Sequence, residues 1–217
     1  AMSSTSMLFE INSAKSYIID ELKNIIQEHI LYLHYLDQLE NKQSVKILYN
    51  KSKGNIFKNI FSFMNFAYGN PCIYGNWTIK WNSEVGYEDS INYLLEDDNS
   101  KKWISKNEIN SYFEIYFGGN LFYWKRMDFI HSESNYSFQQ FVVEVSNDGI
   151  TWFDSNAKLE YDDRIKYKSI NTNKSQLNSR SSFYKMLRFK LTGMNSLNNY
   201  RLCLKQIKLY GILKADN

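Results

Sequence analysis

The residue types that could support acid–base or metal chemistry are scattered along this sequence. His29 and His34 lie five residues apart in a predicted helix, so they share a face too poorly to bind one metal ion, and only His131 lies in the β-rich region. The acid pairs Asp97–Asp98 and Asp162–Asp163 are adjacent, and adjacent residues of a strand point to opposite faces. The sequence has no HExxH, glycine-rich phosphate loop, Cys-x-x-Cys or Gly-x-Ser-x-Gly motif. We therefore expect a protein that is not an enzyme and that has no cofactor.

Cations that could bind phosphate groups are concentrated near the C-terminus. Residues 164–214 contain 12 basic residues and no acidic residue. Alternation predicts a basic face made of two neighbouring strands: Arg164, Lys166 and Lys168 on one, Arg188 and Lys190 on the other. The alternative, which we favour, is an ordinary solvated surface of mixed charge. The basic residues lack a stacked-aromatic motif, so we do not expect nucleic acid as the partner. We do not expect an anionic membrane either, because the loop at residues 82–90 is acidic.

Composition is typical of one globular domain with an appended element. The chain has 217 residues, of which 43% are hydrophobic, and its net charge is +3. No apolar run approaches the 18 residues of a membrane span. The first residues lack the basic and apolar regions of a signal peptide, which favours an intracellular and cytoplasmic location. A secreted protein trimmed of its signal would look the same.

The N-terminal segment, residues 1–44, is predicted to form one long helix over Ser13 to Leu39, capped by Asn12 or Ser13. Apolar residues follow a heptad seam, flanked on one side by Ile19, Ile26 and Leu33. The seam consists of Ile11, Ile18, Leu22, Ile25, His29, Tyr32, Leu36 and Leu39. Two uses stay open: packing on the helix's own domain, or self-association. We favour a homo-oligomer, because a domain that closes without the helix would leave this broad stripe exposed.

Residues 45–71 are predicted to connect the helix to a β domain that spans residues 72–214. Short alternating segments there predict about eight strands without long helices between them. The predicted strands cover residues 76–82, 112–117, 124–130, 140–146, 150–153, 164–169, 186–192 and 202–212. Before them, residues 44–49 are strand-like and residues 54–67 are predicted to form a helical turn. Asn147, Asp148 and Gly149 follow one such segment and predict a tight hairpin, because these residues tolerate the positive φ of the turn. The fold class is therefore mainly β: an antiparallel β-sandwich or jelly roll, preceded by the long helix.

The segment Ser146–Trp152, Ser-Asn-Asp-Gly-Ile-Thr-Trp, resembles the signature hairpin of discoidin domains, also called coagulation factor 5/8 type C domains. Four further segments resemble family motifs in the same order: Leu94–Ser105, Asn110–Phe117, Leu187–Gly193 and Leu202–Gly211. The resemblance spans roughly residues 57–213. Residues 57–75, with Asn70-Pro71, are most similar to intracellular versions of the domain. It implies the galactose-binding-like β-sandwich.

The resemblance also implies roles for single residues. Trp103 and Trp152 are expected in the core, and Arg188 is expected to hold a neighbouring strand or loop through hydrogen bonds. Cys72 and Cys203 do not match the family's disulfide, so two free thiols are expected. Some relatives bind structural Ca²⁺; the weak candidates here are Asp97, Asp98 and Asn99. Gln206 stands where those relatives have Glu, which counts against this metal site.

Ligands of this fold are usually bound by loops at one end of the sandwich, which implies a set of candidate binding residues. These are Tyr87, His131, Asn135, Tyr136, Asn198, Asn199 and Tyr200. Tyrosine rings suit sugar stacking or a protein contact, and asparagine amides suit hydroxyl or backbone groups. We expect a non-catalytic module that binds a protein partner. The alternative is a lectin-like carbohydrate binder.

Overall fold

The computed structural model of the 217-residue chain describes residues 4–49, 59–82, 91–96, 100–131, 137–163, 167–172 and 183–216. The helices are α1 (Ser4–Glu40), α2 (Ile60–Tyr68) and a short 3₁₀ helix (Ile91–Leu95). The strands are β1 (Val45–Ile47), β2 (Thr78–Trp81), β3 (Trp103–Ile104), β4 (Tyr112–Tyr116), β5 (Asn120–His131), β6 (Phe141–Ser146), β7 (Phe153–Asp154), β8 (Lys158–Asp163), β9 (Tyr167–Asn171), β10 (Met186–Leu191) and β11 (Cys203–Ala215).

The strands form two antiparallel sheets that pack face to face, which confirms the predicted sandwich. One sheet has the order β1-β11-β5-β9-β8, with β3 also pairing with β11. The other has the order β2-β4-β10-β6-β7. The alternation predicted from sequence places one side of each strand inward, because successive side chains of a strand point to opposite faces. On β4, for example, Phe113 and Ile115 are buried while Tyr112 and Glu114 face outward.

Aromatic rings fill much of the space between the sheets. Phe189 on β10 lies 4.7 Å from Phe129 on β5 and 4.9 Å from Phe138, measured between ring centroids. Trp103 is fully buried, as the resemblance implies. Trp152 is not in this core. It is half-buried on the outer side of the five-stranded sheet, where its ring lies 3.9 Å from the Arg188 guanidinium.

Helix α1 is longer than predicted and docks at its C-terminal end. It already includes Ser4, so Asn12 and Ser13 lie inside the helix and do not cap it; Met7, Leu8 and Glu10 are good helix formers that extend it. Tyr32 and Leu39 are buried against the domain. The Tyr32 ring lies 5.7 Å from Phe63 on α2.

The predicted connecting segment contributes to the domain itself. Val45 and Ile47 on β1 pair with β11 and are buried. Helix α2 begins after Asn59, whose side-chain Oδ1 accepts a hydrogen bond from Phe61 N, and it ends at Gly69, whose φ is +77°. Because β1 and α2 belong to the core, the domain begins before residue 72.

Two further predictions concern the cysteines and the membrane. No disulfide joins Cys72 to Cys203, and burial raises the pKa of Cys72 to about 12. Among the helices in the described part of the chain, none is both long and apolar enough to cross a bilayer.

Candidate functional site

The strand directions bring several loops together at one end of the sandwich, which we call the loop end. At this end β5 finishes at His131, β10 finishes at Leu191, and β4 and β11 begin. The described segments there are residues 104–111, 137–140 and 192–202. The hairpin after β6, residues 147–152, lies at the opposite end. Of the predicted binding residues, His131 and the segment 193–200 are therefore at the same end, and Ser137 contacts Ser196 there.

Asn195 organises the longest described loop of this end, residues 192–202. Its side chain is buried, its Nδ2 donates to Asn199 Oδ1 (2.7 Å) and to the Arg201 carbonyl (3.0 Å), and its Oδ1 accepts from Leu197 N (2.9 Å). Sequence analysis did not identify this residue. The sequence Asn195-Ser-Leu-Asn-Asn could have suggested it, because asparagine side chains often accept a hydrogen bond from the backbone N–H two residues further along, as Asn195 does here.

Hydrogen bonds also join separate loops, through both backbone and side-chain groups. Ser196 N donates to the Ser137 carbonyl (3.0 Å), and Ser137 N donates to Ser196 Oγ (3.2 Å). Tyr200 N donates to Asn107 Oδ1 (2.8 Å). These bonds fix the loops relative to the sandwich, so the side chains they present are positioned before any ligand arrives.

The predicted residues of loop 193–200 differ in how far they are open to a ligand. Asn198 is exposed at the tip of the turn, with φ +56°. Tyr200 is half-buried and packs on the core with part of its ring. Asn199 Oδ1 is occupied by Asn195 and by Arg201 N (3.1 Å), so Asn199 acts mainly in loop structure.

His131 is not an exposed loop residue, which corrects the prediction. It is the last residue of β5, it pairs with Leu204, and its side chain faces inward with its ring 5.4 Å from Phe138. The strand continues one residue beyond the predicted end and so places His131 in the core. Tyr87, Asn135 and Tyr136 lie outside the described residues.

Sequence analysis missed three apolar side chains that the loop end exposes. Ile109 is 63% exposed, and Met194 and Leu197 are each 44% exposed. Trp81, at the end of β2, is 37% exposed at the same end. In the sequence, these residues stand out only as single apolar residues within otherwise polar loops. Together with Asn198 and Tyr200 these side chains give the loop end a mixed apolar and amide surface.

The predicted basic face does not form among the described residues. Lys168 lies on β9 and points inward. Its side chain is buried, and Nζ donates to the Phe138 carbonyl and lies 3.5 Å from the Asp162 carboxylate. Arg188 and Lys190 belong to the other sheet and bind Glu144, at 2.8 Å and 3.3 Å. The prediction took the inward face of β9, on which Lys168 lies, for an outward one. Arg164 and Lys166 lie outside the described residues.

The candidate Ca²⁺ ligands Asp97, Asp98 and Asn99 also lie outside the described residues. Within the described ranges, no group of three or more His, Cys, Asp or Glu side chains could hold a metal ion. Gln206 is buried, and its Nε2 donates to the Glu96 carbonyl at 3.3 Å. A side-chain amide that donates a hydrogen bond in this way is unlike the carboxylate ligands that Ca²⁺ prefers.

Comparison with solved structures shows which fold this is. CBM32-3, from a family 31 glycoside hydrolase of Clostridium perfringens, has a TM-score of 0.51 and 16% sequence identity; the match covers 75% of this chain and 99% of that one. CpGH89CBM32-5 from the same organism, solved in complex with GalNAc-β-1,3-galactose, has a TM-score of 0.47 and 15% identity, covering 63% and 96%.

No family model matches the sequence, and the search of curated proteins gives no match. The family 32 carbohydrate-binding modules have the discoidin-type, galactose-binding-like fold. The chain is therefore a mainly β protein. Its two antiparallel sheets form the galactose-binding-like sandwich, and one long helix precedes them.

Proposed function

We propose that this chain is a non-catalytic binding module that takes a carbohydrate ligand at the loop end. The observation that carries the proposal is the bonded set of loops around Asn195, Ser137 and Asn107, which holds Asn198 and Tyr200 at the surface. An exposed amide and a tyrosine ring suit the hydroxyl groups and the apolar face of a sugar. Similarity in fold to a carbohydrate-binding module supports the ligand class.

A protein partner is the second candidate, and a separate observation favours it. Ile109, Met194 and Leu197 are exposed at the loop end although they are apolar. Apolar side chains on a rigid surface are typical of the centre of a protein interface. In both cases the same loop end makes the contact and the chain performs no reaction.

A glycan array probed with the labelled full chain separates the two candidates, followed by capture of partners from a cell lysate. For a carbohydrate module we expect selective binding to a set of related glycans. The matched variants are Leu197→Ser at the loop end and Ile150→Ser at the opposite end, both exposed aliphatic positions. Leu197→Ser should weaken binding several-fold and Ile150→Ser should leave it unchanged. Equal loss in both variants, or no binding to glycan or protein, would contradict the proposal.

The proposal includes an assembly, because weak loop contacts gain avidity when two copies engage one target. We expect helix α1 to join copies of the chain. The exposure of its apolar residues Ile18, Leu22 and Ile25 supports this assembly. We also expect an intracellular location, because such a location suits a module with reduced cysteines.

A further inference from the structure

Helix α1 has two parts that differ in what covers its apolar seam. From His29 onward the seam packs on the helix's own domain. Before His29 the same seam and its flank are open. We call this open part the uncovered stripe: Ile11, Ile18, Ile19, Leu22, Ile25 and Ile26, whose side chains are 43–57% exposed. An apolar stripe of this length is rare on a monomer and marks a contact surface.

We propose that the uncovered stripe pairs with the same stripe of a second copy, antiparallel and centred near Ile18. The inference rests on the proposed function only in that it supplies the assembly of two binding modules. The interface is a two-fold one, in which each copy presents the same patch. Ile11 of one copy then lies opposite Ile25 of the other.

Charge along the seam favours the antiparallel arrangement. Lys15 occupies the seam line, seven residues before Leu22. In a parallel in-register pair Lys15 would face the same lysine of the second copy, and like charges in contact are destabilising. In the antiparallel pair centred on Ile18, Lys15 and Glu21 of the second copy lie at the same level on opposite edges of the seam. The two Lys15 side chains are then separated along the seam instead of facing each other.

Helix α2 sets the limit of the pairing. The His29 ring lies 5.0 Å from Phe66, and Tyr32 lies 5.1 Å from the same ring. This face of α1 is therefore occupied from His29 onward. In a parallel pair the two domains would lie at the same end of the helices, and both would need the same space between them. In an antiparallel pair the two domains lie at opposite ends of the helices, and each stripe stays accessible.

The contact area indicates a weak dimer. A fully exposed Leu or Ile side chain offers on the order of 100 Å² of apolar surface. Half-exposed, the six side chains of two copies contribute roughly 600 Å² before their polar neighbours are counted. Stable interfaces bury at least about 1,200 Å² of accessible surface, counted over both partners. We therefore expect a dimer that dissociates on dilution.

Sedimentation velocity of the full chain over a range of concentrations tests the pairing. We expect a mass approaching twice 25.8 kDa at high concentration. Ile18→Glu should give the monomer mass at every concentration with a folded domain, because Ile18 is 57% exposed and lies about three turns before His29, where the docked part of α1 begins. Gln27→Glu adds the same charge on the opposite, exposed face and should remain dimeric. A wild-type chain that stays monomeric, or an Ile18→Glu variant that stays dimeric, overturns the pairing.

Disulfide trapping tests the orientation without relying on a charge variant. Ile11→Cys and Ile25→Cys chains, mixed and oxidised, should cross-link to each other far more than either does to itself. Cross-linking of Ile11→Cys to itself would show a parallel pair and overturn the proposal. Cys203 is buried, and the raised pKa of Cys72 makes that thiol a poor competitor. Because mass and cross-links do not depend on a ligand, failed glycan and protein binding by an intact dimer would contradict only the proposed function.

Discussion

Asp148, Asn195 and Asn59 each accept hydrogen bonds from backbone N–H groups of the residues that follow them. These bonds shape the hairpin after β6, the loop before β11 and the start of α2. At these positions the hydrogen bonds contribute more to the local backbone structure than buried apolar surface does, because a loop makes few apolar contacts. Changes to such residues should therefore act on local geometry and on charge.

Asp148 should give the domain a specific sensitivity to acid. Its carboxylate accepts from Ile150 N (2.8 Å), Thr151 N (2.7 Å) and Ser146 Oγ, and the two backbone bonds chiefly lower its pKa to about 2. A depressed pKa stabilises the fold above about pH 4, and this contribution is lost as the pH falls toward 2. We predict that Asp148→Asn has a lower melting temperature at neutral pH and a flatter pH dependence between 4 and 2.

Thermal melting at several pH values measures this effect. Asp154→Asn is the matched control, since that carboxylate accepts from only one described backbone N–H, that of Asn156. The control should keep the wild-type dependence between pH 4 and 2. An Asp148→Asn profile that parallels the wild type would contradict the assigned role.

Asp128 should be among the most sensitive polar positions. It is fully buried, and it accepts from Arg126 Nε (2.7 Å) and from the Tyr167 hydroxyl (2.8 Å). Removing one partner of a buried pair leaves the other charge uncompensated. We predict that Asp128→Ala lowers the free energy of unfolding by about 3–5 kcal/mol, measured by urea denaturation. Glu160→Gln removes the more exposed partner of the same Arg126 and should cost less than about 1 kcal/mol. Equal effects would contradict this account.

Single-residue roles could be predicted where the backbone decides them. The turn at Asp148 and Gly149 was predicted from the residue types, and Gly149 has φ +72°. The turn is longer than the tight hairpin predicted, because β7 begins only at Phe153.

The position of Lys168 was not predicted correctly, because its prediction required knowing which face of β9 is inside, and a one-residue change in register reverses that face. The position of His131 was not, because β5 extends one residue further than predicted. Trp152 lies outside the strands, beside Arg188, and not in the core that the resemblance implies.

Elements with a clear apolar period were predictable from the sequence, and edge elements were not. The alternation in β4, β6 and β10 gave their positions within a residue or two. Strand β8 was missed because it is an edge strand whose side chains are mostly exposed, so it shows no buried alternation. Strand β1 and helix α2 were predicted as local structure, but sequence could not show that they complete the domain.

Helix α1 should contribute to domain stability through its last turns only. Leu39 is 8% exposed and Leu33 is 57% exposed. Leu39→Ala should lower the free energy of unfolding by about 2–5 kcal/mol, because it leaves a cavity in the core. Leu33→Ala, the matched control, should change it by less than about 0.5 kcal/mol. Denaturation at one fixed protein concentration tests both, and a large loss in Leu33→Ala would show that the exposed face also packs on the domain.

At the scale of the whole molecule, the proposed binding surface lies at one end of the sandwich, and the proposed surface for assembly lies on the helix. The fold and the position of the loop end followed from the sequence. The details of the site did not, because Asn195, Asn107 and Ser196 act through bonds between distant segments. Residues 107 and 200, for example, are 93 positions apart in the chain and joined by one hydrogen bond.

The most direct test of the account maps the ligand onto the backbone. The ¹⁵N-labelled chain is titrated with the glycan that binds most strongly on the array, and amide chemical shifts are followed. We predict changes concentrated in residues 192–202 and in the neighbouring segments 104–111 and 137–140. The hairpin at residues 147–152, at the opposite end, should not shift. Changes confined to that hairpin or to the outer face of either sheet would contradict the loop end as the binding surface.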